Sequence, residues 1–351
     1  MNKNKILKTI YSYSGYLLFF LFFIILFRDF LYTYRLQLEK FFPYFAYQDQ
    51  IIYYLTGDKS FDIEAPMNLR FLGLAIQFLI YKIIPCVELN KVVLGDFAYN
   101  NYVCATFSNA FMNYLSLCGI LSVTFAYCLK KLKLDIGETF LTVLLTYAYI
   151  NHVEAFTLDR ISILYFLIIL YFLNNKTLAL ILIILCSLVN EKIIFILGGF
   201  FFIRLFINKK KDYLIYFNYT LLSALICLAI FLIYSISLGH GYYQSDLELG
   251  LYDAIFIKGF DRIFYMFLTK SGYSNAVLPL LLSITPYVIS FYIKNSKFYF
   301  SKFDILIPFS MLVFTAGGGT EQTGRYVMYS MPLWLPIFSQ QIIFFLKKPK
   351  L

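Results

Sequence analysis

Charge is scarce in this chain. Only 14% of its 351 residues are Asp, Glu, Lys or Arg, and it has two histidines and one tryptophan. His152 and His240 lie far apart in sequence and outside any HExxH pattern, so the zinc-protease arrangement is excluded. There is no Gly-rich loop ending in Lys-Ser/Thr and no GxSxG elbow, which removes support for ATP-driven pumping and for standard hydrolase chemistry. The glycines in "GGFFFIRLF" (198–206) and "AGGGTEQTG" (316–324) do not stand between a strand pattern and a helix pattern. The six cysteines (86, 104, 118, 128, 186, 227) show no CxxC spacing and fall mostly in apolar runs. They read as small buried hydrophobes rather than disulfide partners or zinc ligands. Internal repeats, which many membrane carriers show, are missing too.

Apolar residues are what the chain has in excess. It is 60% hydrophobic and 21% aromatic, with a mean hydropathy of +0.71, whereas soluble domains are roughly 45–50% apolar. Uncharged runs recur, among them "GYLLFFLFFIILF" (15–27) and "LLSALICLAIFLIYSI" (221–236). A helix needs about 20 apolar residues to cross the hydrocarbon core, so the expectation is an all-α polytopic membrane protein, a single transmembrane domain over 1–351. The first apolar run is longer than a signal-peptide core and no small-residue cleavage site follows it, so it is read as a retained helix. Helices are predicted over 6–28, 103–128, 139–157, 160–173, 177–190, 192–207, 213–238, 274–293, 303–316 and 327–346. Segments 160–173 and 177–190 are short for spans and read as tilted, buried or partly re-entrant. Segment 69–85 is interrupted by Arg70, Gln77, Lys82 and Pro85. It reads as an amphipathic helix lying on the outer surface, with Arg70 and Lys82 snorkelling.

Charge orients this arrangement. "KKLK" (130–133), "KKK" (209–211) and "KKPK" (347–350) fall on one side, and most of the acids fall on the other. By the positive-inside rule both termini are cytoplasmic, while 29–102 and 239–273 form two large extracytoplasmic loops. The net charge of +10 is accounted for by cytoplasmic loops facing anionic lipid and requires no nucleic acid. Lys-, Asn-, Ile- and Phe-rich usage points to an AT-rich genome and to a bacterial cytoplasmic membrane.

Polar residues then collect at the outer face in four clusters: "YQDQIIYYLTGDKSFDIEAPMNLRFL" (47–72), "NHVEAFTLDR" (151–160), "NEK" (190–192) and "GGGTEQTGRY" (317–326). An ionisable group near membrane depth costs on the order of 2.5–3.5 kcal/mol on insertion scales, so such groups usually line a cavity and pair. A salt bridge between Glu191 and Lys192 is the plain structural account of the third cluster. Solvated loop charge is the plain account of Asp58 and Asp62.

"YQDQIIYYLTGD" (47–58) resembles the first outer loop of GT-C-type glycosyltransferases, the membrane enzymes that use polyprenyl-phosphate-linked sugars. "APMNLRFLGLAIQFL" (65–79) is similar to the juxtamembrane helix of cell-surface polysaccharide members. "LDRISILYFLIILYFL" (158–173), "NEK" and "GRYVMYSMPLWLP" (324–336) are similar to later helix ends of the same group. Gln50 departs from the group's common Asp-Glu pair and weighs against metal assistance. The chain also ends just after its last predicted helix, as in the smaller members.

The resemblance implies sugar transfer from a polyprenyl-phosphate-linked donor to a glycan, lipid or protein acceptor in cell-envelope polysaccharide biosynthesis. The residues fit that chemistry. Asp49 is the candidate base for the acceptor hydroxyl, with Glu64 or Glu154 next in line. Arg70, Arg325 and Arg160 are candidate partners of the donor phosphate, since guanidinium forks stabilise a leaving phosphate. His152, Glu154, Asp159, Glu191 and Glu321 suit sugar hydroxyls or a divalent ion, and the pattern does not choose between the two. Glu64 and Lys192 join that sugar, acceptor or ion group, and Tyr53 and Tyr326 suit stacking on a sugar ring, though interfacial aromatic belts explain tyrosines equally well. The loop 239–273 suits a mobile lid over the lipid-facing opening. Two other classes stay open: a polysaccharide polymerase using a lipid-pyrophosphate donor, and a lipid-linked glycan flippase or transporter.

Overall fold

The apolar runs become helices wherever the backbone is described. The computed structural model describes residues 17–28, 30–31, 34, 55, 57, 70–84, 101–150, 159–208, 211–238, 264, 267–270, 277–292, 305–306, 327 and 329–347. Among the described residues there is no strand. The helices are α1 (Phe71–Ile83), α2 (Asn101–Lys130), α3 (Ile136–Ile150), α4 (Asp159–Phe172), α5 (Lys176–Leu185), α6 (Glu191–Asn208), α7 (Lys211–Leu238), α8 (Leu278–Tyr292) and α9 (Met331–Lys347). A 3-10 turn, Cys186–Leu188, continues α5. The all-α class and eight of the predicted segments agree with these helices, with boundaries shifted by a few residues. For 6–28 and 303–316, only 17–28, which is largely helical, and 305–306 are described. The 177–190 prediction ran too far: the α-helical bonding stops at Leu185, and Asn190 begins the next helix.

Among the described residues, two helices are long and apolar enough to cross a membrane by length and composition, Cys104–Lys130 within α2 and Lys211–Ile230 within α7. They occupy opposite situations, with 67% of the apolar window buried in the first and 17% in the second. Alpha-2 is therefore the axis of the bundle and α7 its edge. Alpha-2 can be central because one side of it is small. At Gly119 an added Cβ would come within 2.9 Å of Leu164 Cδ2, so the missing side chain is what lets α4 cross this closely. Alpha-4, too short to span about 30 Å of hydrocarbon, is buried along nearly its whole length. Of the three readings, this burial supports the buried one.

Around this pair, α3 packs on α2, α9 on α3, and α8 on α9, while α5 and α6 pair with α7. Residues Leu26, Phe30 and Tyr34, one helical turn apart, bury against Phe107, Phe111 and Tyr114 of α2 in a column of aromatic rings. Such offset and edge-to-face pairs add to the plain burial of apolar area.

Alpha-1 departs from the expectation of a helix resting on the surface. It docks along the first turns of α2, where Gly73, Leu74 and Gln77 are buried. Leu74 packs with Met112 and Ile161, and the Gln77 amide donates to the Ala105 carbonyl (3.4 Å), which makes burial of a polar side chain tolerable. Arg70 is accordingly buried rather than snorkelling. Lys82 lies at the other end of the helix, its ammonium over the rings of Phe78 and Tyr81.

Candidate functional site

Contacts between helix termini sort the ends into two groups. At one end sit the lysines of the 130–133 turn, Lys176, Lys211 and Lys347. The other end gathers the start of α4, the junction between α5 and α6, and the turn before α9. Three of the four polar clusters seen in the sequence have members at this second end.

The junction is a chain of buried side-chain hydrogen bonds. The Asn190 Nδ2 donates to Ser162 Oγ (3.0 Å) and to the Tyr329 hydroxyl (3.1 Å). Tyr329 in turn donates to Asp159 Oδ1. All four residues are essentially inaccessible to solvent, with exposures of 0–2%. Local sequence explains each position. Asn190 follows the 3-10 turn and caps α6, its Oδ1 accepting from the Lys192 N–H (3.0 Å). Asp159 opens α4, where a carboxylate is favoured by the helix dipole. Ser162 lies one turn later on the same helix. Tyr329 sits in the turn Val327–Ser330, closed by Ser330 N–H to the Val327 carbonyl (3.1 Å), just before α9.

Arg160 points elsewhere. It is about nine-tenths buried on α4, which packs on α2, within electrostatic range of Cys118 and Tyr147, and its Nε has no hydrogen-bond partner. Among the described residues no carboxylate pairs with it. A buried guanidinium is costly unless an anion pairs with it. Arg70 reaches the same part of the bundle, since Leu74, one turn after it, packs against Ile161. Close by, Trp334 of α9 meets Tyr149 of α3 edge-on at 5.2 Å.

Of the residues proposed from sequence, Arg70, Arg160 and Asp159 are brought to this end in buried positions, and Lys192 lies half-buried at the start of α6. Glu191 belongs to α6, but its side chain is outside the described residues. So are Asp49, Tyr53, Glu64, His152, Glu154, Glu321, Arg325 and Tyr326, and all of the 239–273 loop except 264 and 267–270. Among the described residues no group of three or more His, Cys, Asp or Glu comes together.

Three members of the network were missed in the sequence: Asn190, Ser162 and Tyr329. Asn190 carried a usable signal, an Asn directly before a helix. Tyr329 carried none, because nothing local distinguishes it from the chain's 31 other tyrosines. The cysteine reading holds for Cys118, Cys128 and Cys186, which are buried and not bridged, while Cys227 is not bridged but only partly buried. It fails at Cys104, which is disulfide-bonded near the start of α2. Spacing could not reveal this, since a bridge depends on which chain segments approach.

No protein-family model matches this chain, and no curated protein or solved structure matches it either. Its function is therefore argued from its own residues.

Proposed function

We propose that the protein is an integral membrane glycosyltransferase of the GT-C type. It moves a sugar from a polyprenyl-phosphate-linked donor to a glycan, lipid or protein acceptor at the extracytoplasmic face. The observation that carries this reading is the convergence of distant polar clusters on one buried junction beside Arg160, a cation with no acid partner among the described residues. A leaving lipid phosphate supplies the missing charge, and Arg160, with Arg70, stabilises it as the glycosidic bond to the sugar breaks. Asp49 takes the proton of the acceptor hydroxyl as that oxygen bonds to the anomeric carbon.

A bilayer setting is supported by the outer surface of α7, where Leu221, Leu225, Leu228, Leu232 and Ile233 are exposed beside a polar interior. The lysines at the opposite end suit the cytoplasmic leaflet. The disulfide at Cys104, about four helical turns beyond Cys118 on α2, suits an oxidising compartment on the junction side.

The test is transfer of labelled sugar from a lipid-linked donor pool in membranes carrying matched amounts of each variant. Asp49→Asn is expected to lower transfer about a hundred- to ten-thousand-fold, the usual range for loss of a general base. Arg160→Lys should fall less than Arg160→Gln, because charge survives without the fork. Retention of more than about a tenth of wild-type transfer by Asp49→Asn removes it as the base. Product chains built from lipid-pyrophosphate repeat units would instead identify a polymerase, and a complete lack of glycan product a carrier. Cysteines introduced at Ser60 and Ser245 should react with an impermeant reagent in intact cells, and one at Ser301 should not.

A further inference from the structure

Alpha-1 carries Arg70 at its start, and little holds it against α2. Its buried residues are Gly73, Leu74 and Gln77, and the Gln77 bond to the Ala105 carbonyl is long at 3.4 Å. Phe71, Leu79 and Ile83 stay exposed. In lipid, apolar contact alone gives a short helix little reason to stay docked. The contacts run antiparallel: Leu74 packs with Met112, whereas Phe78 and Tyr81 pack on Ala105. The far end of α1 therefore comes to the start of α2, where Cys104 is disulfide-bonded.

The other half of that bond follows by count. Of the six cysteines, Cys118, Cys128, Cys186 and Cys227 are not bridged, which leaves Cys86. Cys86 lies outside the described residues, but it follows Ile84, the C-cap of α1, by two positions. Two residues of chain reach at most about 7 Å, so the sequence keeps Cys86 near that end of α1. At the other end, the Arg70 carbonyl accepts from the Leu74 N–H (3.2 Å), and Leu74 packs against Ile161, the neighbour of Arg160. One helix thus joins the bridge to the arginine.

We propose that Cys86 closes the bridge with Cys104, and that this bond is a clamp which keeps α1 docked on α2 and so holds Arg70 beside α4. The role given to Arg70 rests on the transferase reading, which takes it as a phosphate partner; the pairing and the docking do not. Opening the clamp takes an external dithiol or phosphine reductant. With a phosphine, water supplies the oxygen of the phosphine oxide and the two hydrogens of the thiols. The anion site is then complete only where the junction side faces an oxidising compartment.

The experiment uses the full chain in phosphatidylcholine nanodiscs. Free thiols are alkylated without reductant, and the digest is read by mass spectrometry. One cross-linked pair should join the peptides bearing Cys86 and Cys104, and it should separate after phosphine treatment. An alkylated Cys86, or Cys104 joined to a second copy of the chain, overturns the pairing. Amide hydrogen exchange over 71–84 should quicken about tenfold after reduction and in Cys104→Ser, while α7 stays unchanged. Unchanged exchange in α1 overturns the clamp. Should Cys104→Ser fail to fold, Cys86→Ser and the reduced wild type give the same comparison.

Dodecyl phosphate, with dodecanol as the uncharged control, tests what the clamp is for. Reduction should weaken its binding about threefold, Arg70→Gln should weaken it at least as much, and reducing Arg70→Gln should add nothing. A merely structural bridge would add its loss to that of Arg70→Gln, and such additivity overturns the positioning role. Absence of saturable binding in wild type removes the phosphate reading and the part of Arg70 in it. The exchange rates alone then decide the clamp.

Discussion

Asp159 and Asp135 stand at opposite ends of the bundle. Asp159 is 2% exposed and meets Tyr329, a residue 170 positions away, in the interior. Asp135 keeps 48% of its side chain in solvent and is ion-paired to Lys347 at 3.2 Å. It also forms a reciprocal cap with Glu138: the Glu138 N–H donates to Asp135 Oδ1 (2.7 Å), and the Asp135 N–H donates to Glu138 Oε2 (3.1 Å). Each carboxylate opens a helix. The exposed one has water as an alternative partner, so its protein contacts add little. The buried one has none, so each contact it makes is expensive to remove. The lesson is that the lysine-rich end fastens helices, while the junction end holds polar groups under constraint.

The largest expected effect that sharpens this contrast is at the junction. Asp159→Ala removes the buried acceptor of the Tyr329 hydroxyl and is expected to destabilise the fold by about 3 kcal/mol. Thermal unfolding in matched detergent, followed by Trp334 emission, measures it. A loss no larger than at Asp135 would erase the distinction between the two ends.

Next is Asp135→Ala, which removes a helix cap and is expected to cost about 1 kcal/mol. The N–H of Glu138, and then Lys347, hold the Asp135 carboxyl below the usual carboxylate range. A lowered value means that the folded state favours the anion. Its contribution is therefore complete above about pH 4 and is lost as acid protonates the group below that. Wild type and Asp135→Ala should thus differ at pH 7 and converge on strong acidification. A difference that persisted there would mean that the charge is not what matters.

The smallest effects belong to the ion pairs alone. Lys347→Ala and Lys176→Ala, the latter removing the 3.2 Å contact to Asp212, should each change stability by a few tenths of a kcal/mol, less still in high salt. A change above about 1 kcal/mol at either site would show that this end is also under constraint.

Helix content was legible in the sequence because it rests on neighbours: long apolar runs, lysine-rich breaks and caps act within a few residues of one another. The gathering of polar groups was legible in part: among the described residues, members of three of the four polar clusters meet at one end of the bundle. Asp159, Arg160 and Arg70 could be picked out because charge in an apolar chain is conspicuous. Ser162 and Tyr329 could not, because each becomes distinctive only through a partner supplied by a different helix, whereas Asn190 stood directly before a helix in the "NEK" cluster. The disulfide at Cys104 and the burial of Arg70 were hidden for the same reason: both depend on which segments meet along α2. The sequence alone determined where the described chain is helical, to within a few residues at most ends. Tertiary packing decided that Asp159 faces a tyrosine rather than its own neighbour, because hydrogen bonds across 28 to 170 residues of chain are set by how helices cross and not by the order of residues within them.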